Sequence, residues 1–242
     1  MRIIRLVVGY DGTDFCGWQR QQGDRTVQGE LEDALAKLTG KPIPIVGAGR
    51  TDAGVHALGQ VASFRTALSL GEAELLRAFN SLLPRDVRVS AVRTAPPSFD
   101  ARKSARSKVY RYRIFNAAQV SPFLFRYVLH WPARLDFEKM AEAARLFKRK
   151  GDFTAFSSNR LLQPVRRVMR SEIRKKGPEI IYTIEADGFL RYMVRTIVGT
   201  LLEVGRGRIE PRVIDDFFKQ KKRSLASPTA PAKGLCLVKV VY

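Results

Sequence analysis

The stretch GAGRTDAGVHALGQ, residues 47–60, places Arg50, Thr51, Asp52 and His56 within seven positions, framed by Gly47, Gly49, Gly54 and Gly59. Two kinds of chemistry suit that pattern. Asp followed by Ala-Gly between strands is ordinary turn chemistry, because the carboxylate bonds its own backbone and glycine accepts positive φ. On these residues alone a turn is the simpler account. The other kind is catalysis by a lone nucleophilic carboxylate, which must stay ionised when a substrate strips its water; an adjacent cation is the direct way to lower its pKa. Arg50 is a local candidate for that cation. Arg195, one helical turn after Arg191 in RYMVRTIVG, is another, although a solvated helix face accounts for it more simply from the pattern alone. The loop also carries more functional groups and glycines than a tight hairpin needs, and glycines let another backbone or a ligand approach closely.

Aromatic residues pose a similar choice. Tyr110 and Tyr112 share one face of a strand, with Arg111 and Arg113 on the other. They serve either as core or as a platform on which bases stack. The chain has 242 residues, 43 Lys plus Arg against 23 Asp plus Glu, and a formal charge of +20, which favours a polyanionic partner. Arginines cluster with aromatics in FDARKSARSKVYRYRIF, residues 99–115, the side-chain types that hold phosphate and stack on unpaired bases. Cys16 and Cys236 stand far apart with no CxxC spacing, and His56 and His130 are the only histidines. That argues for a reducing compartment and against a disulfide framework or a structural zinc site. Neither the phosphate-binding loop pattern nor the dinucleotide-binding glycine pattern occurs, so a nucleotide or dinucleotide cofactor has no recognised cradle. Asp11 and Asp14 invite comparison with a metal-dependent nuclease, but two carboxylates beside DGT are more often a turn. The first residues are too short an apolar run for a signal peptide, and nothing approaches a membrane span; the expected location is cytoplasmic.

The elements that must position these groups follow from periodicity. Residues 2–10 read as a buried strand. Thr26 is an expected N-cap for an amphipathic helix carrying Val27, Leu31, Ala34, Leu35 and Leu38, closed by Gly40. KPIPIVGAG and ALGQVASFRT read as strands on either side of Asp52. A capping box from Ser69 to Glu72 announces a second helix that stops before Pro84, and DVRVSAVRT is a strand. This is the β-α-β-β-α-β order of a ferredoxin-like unit. Residues 95–108 break the periodicity, so the expected domains are 1–104 and 105–242. The second half repeats the order: a strand at KVYRYRIFN, a helix from about Asp136 to Lys148, two strands around the Gly177-Pro178 turn, a helix marked by Phe189, Met193, Ile197, Leu201 and Val204, a short helix opened by Pro211, and a final strand. The expected fold class is α+β, two ferredoxin-like halves whose antiparallel sheets meet at a central RNA-binding cleft.

Six stretches, in order and spacing, resemble the tRNA pseudouridine synthase A family: YDGTDFCGWQRQ (10–21), GRTDAGVHALGQV (49–61), FDARKSARSKVYRYRI (99–114), DFTAFSS (152–158), RYMVRTIVGTLLEVGRG (191–207) and PTAPAKGLCLVKVVY (228–242). The resemblance spans nearly the whole chain, and GRTDAGVHA is its most specific block. Lys103 stands where the family pattern has an aromatic, and Cys236 where it often has Tyr. The resemblance implies cofactor-free, metal-free isomerisation of uridine to pseudouridine at positions 38, 39 and 40 of the tRNA anticodon stem-loop, by a homodimer. It implies Asp52 as the catalytic aspartate, Arg50 as the residue that helps flip the target nucleotide and takes its place, Tyr110 as the ring that stacks on the uracil, and Arg195 as the basic partner of the aspartate. The rival reading from another class is a non-catalytic RNA-binding or RNA-chaperone protein, in which Asp52 is a turn residue.

Overall fold

Hydrophobic periodicity, helix caps and turn residues divide the chain into ten strands and five α-helices among the residues that the computed structural model describes, 1–158, 163–223 and 226–242. The first six elements are β1 (Arg2–Tyr10), α1 (Val27–Thr39), β2 (Val46–Gly47), β3 (His56–Thr66), α2 (Glu72–Leu82) and β4 (Val87–Ala95). They are followed by β5 (Ser107–Phe115), β6 (Leu129–His130), α3 (Phe137–Leu146), β7 (Lys150–Asp152), β8 (Val165–Lys176), β9 (Glu179–Ala186), α4 (Met193–Gly205), α5 (Val213–Gln220) and β10 (Leu235–Val241). Two units result, one of residues 1–106 with 236–242 and one of residues 107–235. The carboxy-terminal strand thus groups with the first unit, whereas a boundary at residue 104 leaves it with the second.

In the first unit, antiparallel neighbours run β4-β1-β3, and β2 adds to the far side of β3. β10 pairs with β3 in parallel, Cys236 opposite His56. Ile4, Leu6 and Val8 of β1 are completely buried, the inward half of an alternating strand. Helix α1 begins and ends as its sequence predicts: Thr26 is extended and its side chain accepts from Gly29 N–H, and Gly40 is left-handed at φ 71° with its N–H on Ala36 O. The expected Ser69–Glu72 capping box does not form; α2 starts two residues later with only the backbone half of such a box. Gly71 is the N-cap, and its N–H donates to Glu74 Oε2 at 2.7 Å. Glu72 is drawn away from the helix start by Thr94 N–H at 2.6 Å and Arg93 at 3.1 Å. The strand expected at KPIPIVGAG shrinks to two residues, so most of that stretch is connection.

The second unit has antiparallel neighbours in the order β5-β9-β8-β7, with β6 beside the end of β5. Gly177, at φ 58°, makes the β8–β9 turn. Asp136 caps α3 through Lys139 N–H at 3.0 Å. Phe189 falls before α4, not within it, because Tyr192 takes the left-handed conformation at φ 62° and the helix starts only after it. The DFTAFSS stretch is largely structural. Phe153 and Phe156 are completely buried and meet Phe218 at 5.0 and 5.3 Å between ring centres. Asp152 fastens the turn, accepting from Thr154 N–H at 2.9 Å and Thr154 Oγ1 at 2.6 Å, with Lys221 Nζ 3.3 Å away. No helix among the described residues is long and apolar enough to cross a membrane.

Burial works against the Asp152 charge, but the Thr154 bonds and Lys221 outweigh it and hold this carboxyl below its ordinary range. A group whose folded pKa is lowered stabilises the fold above its unfolded value and loses that contribution as pH falls through the folded one. Asp152→Asn is therefore expected to lower stability near neutrality and to flatten the acid limb of the stability profile. Urea unfolding of both proteins across the carboxylate range checks this; parallel acid limbs would remove Asp152 from the account.

Candidate active site

Asp52 lies half-buried in the connection from β2 to β3, between buried Thr51 and exposed Ala53. Its loop is held by main chain and by neutral polar groups. The Tyr10 hydroxyl, at the end of β1, is 2.8 Å from Thr51 Oγ1 in a buried contact. Burial pushes the Tyr10 phenol above its ordinary pKa, while the hydrogen bonds from Thr51 and Gln60 pull the other way. The phenol is thus a neutral anchor at working pH. Trp18 N–H donates to Thr51 O at 3.0 Å, Val55 N–H closes a turn on Asp52 O at 3.1 Å, and Gln60 Nε2 donates to Gly49 O at 2.8 Å.

Two glycines permit this packing. Gly17 adopts φ +95°, and a Cβ there would stand 2.7 Å from Thr51 O and 3.2 Å from the carbonyl carbon of Asp52. A Cβ on Gly12 would stand 2.0 Å from Val55 O. The DGTDFCG segment therefore lies directly against the Asp52 loop, closer than any side chain would allow. Its Asp11 forms a local turn, accepting from Thr13 N–H at 3.0 Å and Thr13 Oγ1 at 2.6 Å, as turn chemistry predicts.

Arg50 is exposed, and its Nε donates to Gln19 Oε1 at 3.0 Å. Gln19 Nε2 in turn donates to Gln28 Oε1 at 2.7 Å, and Gln28, on α1, donates to Ile45 O at 3.0 Å and Glu32 Oε1 at 2.9 Å. A chain of amides thus ties Arg50 to helix α1. His56 is buried at the start of β3, and its Nδ1 lies 3.0 Å from Gly12 N and 3.1 Å from Asp11 Oδ1. One ring nitrogen cannot accept from the amide and donate to the carboxylate together. The Gly12 N–H is a fixed donor, so Nδ1 is the acceptor, and His56 helps set the floor beneath the loop.

Tyr110 and Arg195 belong to the second unit. Tyr110 is buried on one face of β5 and meets Phe189 edge-on at 5.0 Å. Tyr112, on the same face, is completely buried, with its hydroxyl donating to Pro231 O at 2.8 Å, and is core. Arg195 is half-buried in the first turn of α4, not on a solvated face. Its Nε donates to Ala230 O at 2.8 Å and its guanidinium sits 5.0 Å from the centre of the Tyr192 ring, with Arg191 at 5.1 Å from the same ring. Burial raises the Tyr112 phenol pKa, and the Arg195 charge opposes it. Asp52 and Arg50 thus share one loop of the first unit, while Tyr110 and Arg195 are placed by β5 and α4 of the second. Reading the sequence missed the supporting groups Tyr10, Gln19, Gln28, Gln60 and Tyr192. The first three fall in or close to YDGTDFCGWQRQ, where polar residues crowd a turn that needs none of them.

Comparison of the whole chain with known proteins shows its family. The family model described as tRNA pseudouridine synthase matches residues 6–103 and 143–242, and the chain belongs to that family. Among its relatives, the protein named tRNA pseudouridine synthase A of Thermodesulfovibrio yellowstonii is 41% identical, with 99% of each chain covered. Those of the same name from Geobacillus kaustophilus and Methylacidiphilum infernorum are 43% and 45% identical, covering 99% and 98% of this chain and 94% of their own length.

Tyr10→Phe deletes one partner of a buried hydroxyl pair and leaves Thr51 Oγ1 to find another. The expected loss of stability is about 1–2 kcal/mol, read as a lower urea midpoint at unchanged slope. A midpoint equal to the parent's would mean that the loop does not depend on this bond.

Proposed function

We propose that this protein isomerises uridine to pseudouridine at positions 38, 39 and 40 of the tRNA anticodon stem-loop, in the cytoplasm and as a homodimer, with Asp52 as the catalytic carboxylate. The full-length match to relatives named tRNA pseudouridine synthase A carries the reading. The reaction breaks the bond from C1′ to N1 and joins C1′ to C5; the hydrogen on C5 leaves as a proton and N1 gains one. Nothing is oxidised or reduced. Asp52 acts by attack at C1′, by attack at C6, or by promoting elimination, and each route needs an ionised carboxylate held at a fixed position.

The geometry within each unit supports the individual roles. A rigid loop presents Asp52, which lowers the entropy lost in reaching a reactive arrangement. The target base must leave its stack at a cost of a few kcal/mol. Arg50, exposed beside Asp52, is suited to take the vacated place, and Tyr110, fixed by Phe189, is suited to stack on the uracil. Arg195, anchored on Ala230 O in the second unit, is an oriented cation suited to the role of basic partner that the family resemblance implies for it. We further read each of the two units as a version of a ferredoxin-like arrangement; the antiparallel order β4-β1-β3-β2 supports this for the first and β5-β9-β8 for the second.

The test is tritium release from unmodified tRNA labelled at C5 of uridine, with neither metal nor cofactor added. Release is expected from the parent and none from Asp52→Asn, while the variant's tRNA affinity stays within a few-fold. Full release by Asp52→Asn would remove Asp52 from the chemistry, and tight binding without any release by the parent would make this a binding protein. At Tyr110, Phe should keep most of the activity and Ala should lose it if the ring stacks. Equal severe loss in both would assign the role to the hydroxyl.

A further inference from the structure

Residues 121–127, SPFLFRY, lie between β5 and β6 and outside both stretches that the family model matches. They form an ordered turn. Leu124 and Phe125 N–H both donate to Ser121 O, at 2.9 and 3.1 Å, Phe123 N–H donates to Ser121 Oγ at 3.3 Å, and Tyr127 N–H donates to Leu124 O at 2.8 Å. The turn is fastened at its end by completely buried Val128 and by Leu129, which pairs with Ile114 of β5. Nevertheless Phe123 is 87% exposed, Phe125 48% and Tyr127 37%. Three exposed rings within five residues of one hydrogen-bonded turn are a local concentration of exposed apolar side chains.

Its chemistry selects the partner. Exposed Arg126 stands among the rings, and Lys233 Nζ lies 5.1 Å over the centre of the Phe125 ring. Rings and arginine occur at protein interfaces too, but lysine is depleted there, and Lys233 is seated over one of the rings. Rings interleaved with cations instead match single-stranded nucleic acid, whose bases stack on the rings and whose phosphates meet the cations. The formal charge of +20 points the same way.

We propose that the 121–127 turn binds unpaired nucleotides of the RNA substrate other than the reacting uridine, with Phe123 and Phe125 stacking on bases and Arg126 and Lys233 serving the phosphates. The identification of that RNA as tRNA rests on the function proposed above; the stacking chemistry does not. The proteins to compare are the parent, Phe123→Ala/Phe125→Ala, Phe123→Leu/Phe125→Leu and Phe123→Trp/Phe125→Trp. Each is titrated with an unmodified tRNA transcript and with a fully paired RNA duplex, its sedimenting mass is measured, and tritium release is followed. The Ala pair should weaken tRNA binding about ten-fold or more, leave duplex binding and mass unchanged, and raise KM by more than it lowers kcat. The Trp pair should restore binding and the Leu pair should not. Parent-like tRNA binding by the Ala pair, equal weakening on the duplex, restoration by Leu, or a lower mass showing that the rings pack a second copy of the chain would each overturn the proposal. Absence of tritium release from the parent would instead count against the isomerase reading, and the binding titrations would still decide the role of the rings.

Discussion

At Gly12 and at Gly17 the backbone comes directly against the backbone of residues 51–55, with Gly54 N–H donating to Phe15 O between them, and the placement of the Asp52 loop follows from those contacts. Gly12 and Gly17 make them possible, the second only by adopting a left-handed φ. The same segment carries helix α1, because Gly17 O accepts from Val27 N–H and Trp18 O from Gln28 N–H. The end of β1, the start of α1 and the aspartate loop therefore form one block. The main chain of this loop is thereby fixed at Asp52, with the Tyr10–Thr51 and Gln60–Gly49 bonds adding to it.

The second unit uses other means. A non-glycine residue in the left-handed region costs on the order of 1–3 kcal/mol, yet Tyr192 stands there at the entrance to α4. The consequence is that Arg191 and Arg195, one helical turn apart, both address the Tyr192 ring, and Arg195 is turned toward Ala230 O and away from open water. The first unit thus carries an acid and an exposed arginine on one loop, and the second a buried ring and an anchored arginine.

Much of this was legible in the sequence wherever the cause is local. Thr26 and Gly40 bound α1 because their own side-chain oxygen and backbone freedom do the capping, and the Gly177 turn follows from glycine alone. Where the cause lies far along the chain the reading slipped. Glu72 has the right spacing from Ser69 for a capping box, but Thr94 and Arg93, distant in sequence, compete for its carboxylate. Phe189 fits the apolar period of α4, and a single left-handed residue cuts it off. In the site, Asp52 and Arg50 stood out by type and spacing. The amide chain behind Arg50 did not, since Gln28 and Gln19 look like ordinary surface polar residues until helix and turn bring them together, and Arg195 looked solvated because only its packing on Ala230 and Tyr192 says otherwise.

That amide chain has an electrostatic consequence. Gln19 holds the guanidinium of Arg50 through a neutral dipole, so that its direction is set without an ion pair in this bond. Letting go of such a tether forfeits one exposed neutral hydrogen bond, roughly 1 kcal/mol, where leaving a carboxylate would also mean separating an ion pair. Arg50 is therefore oriented at rest yet cheap to release, the combination that the role proposed for it requires.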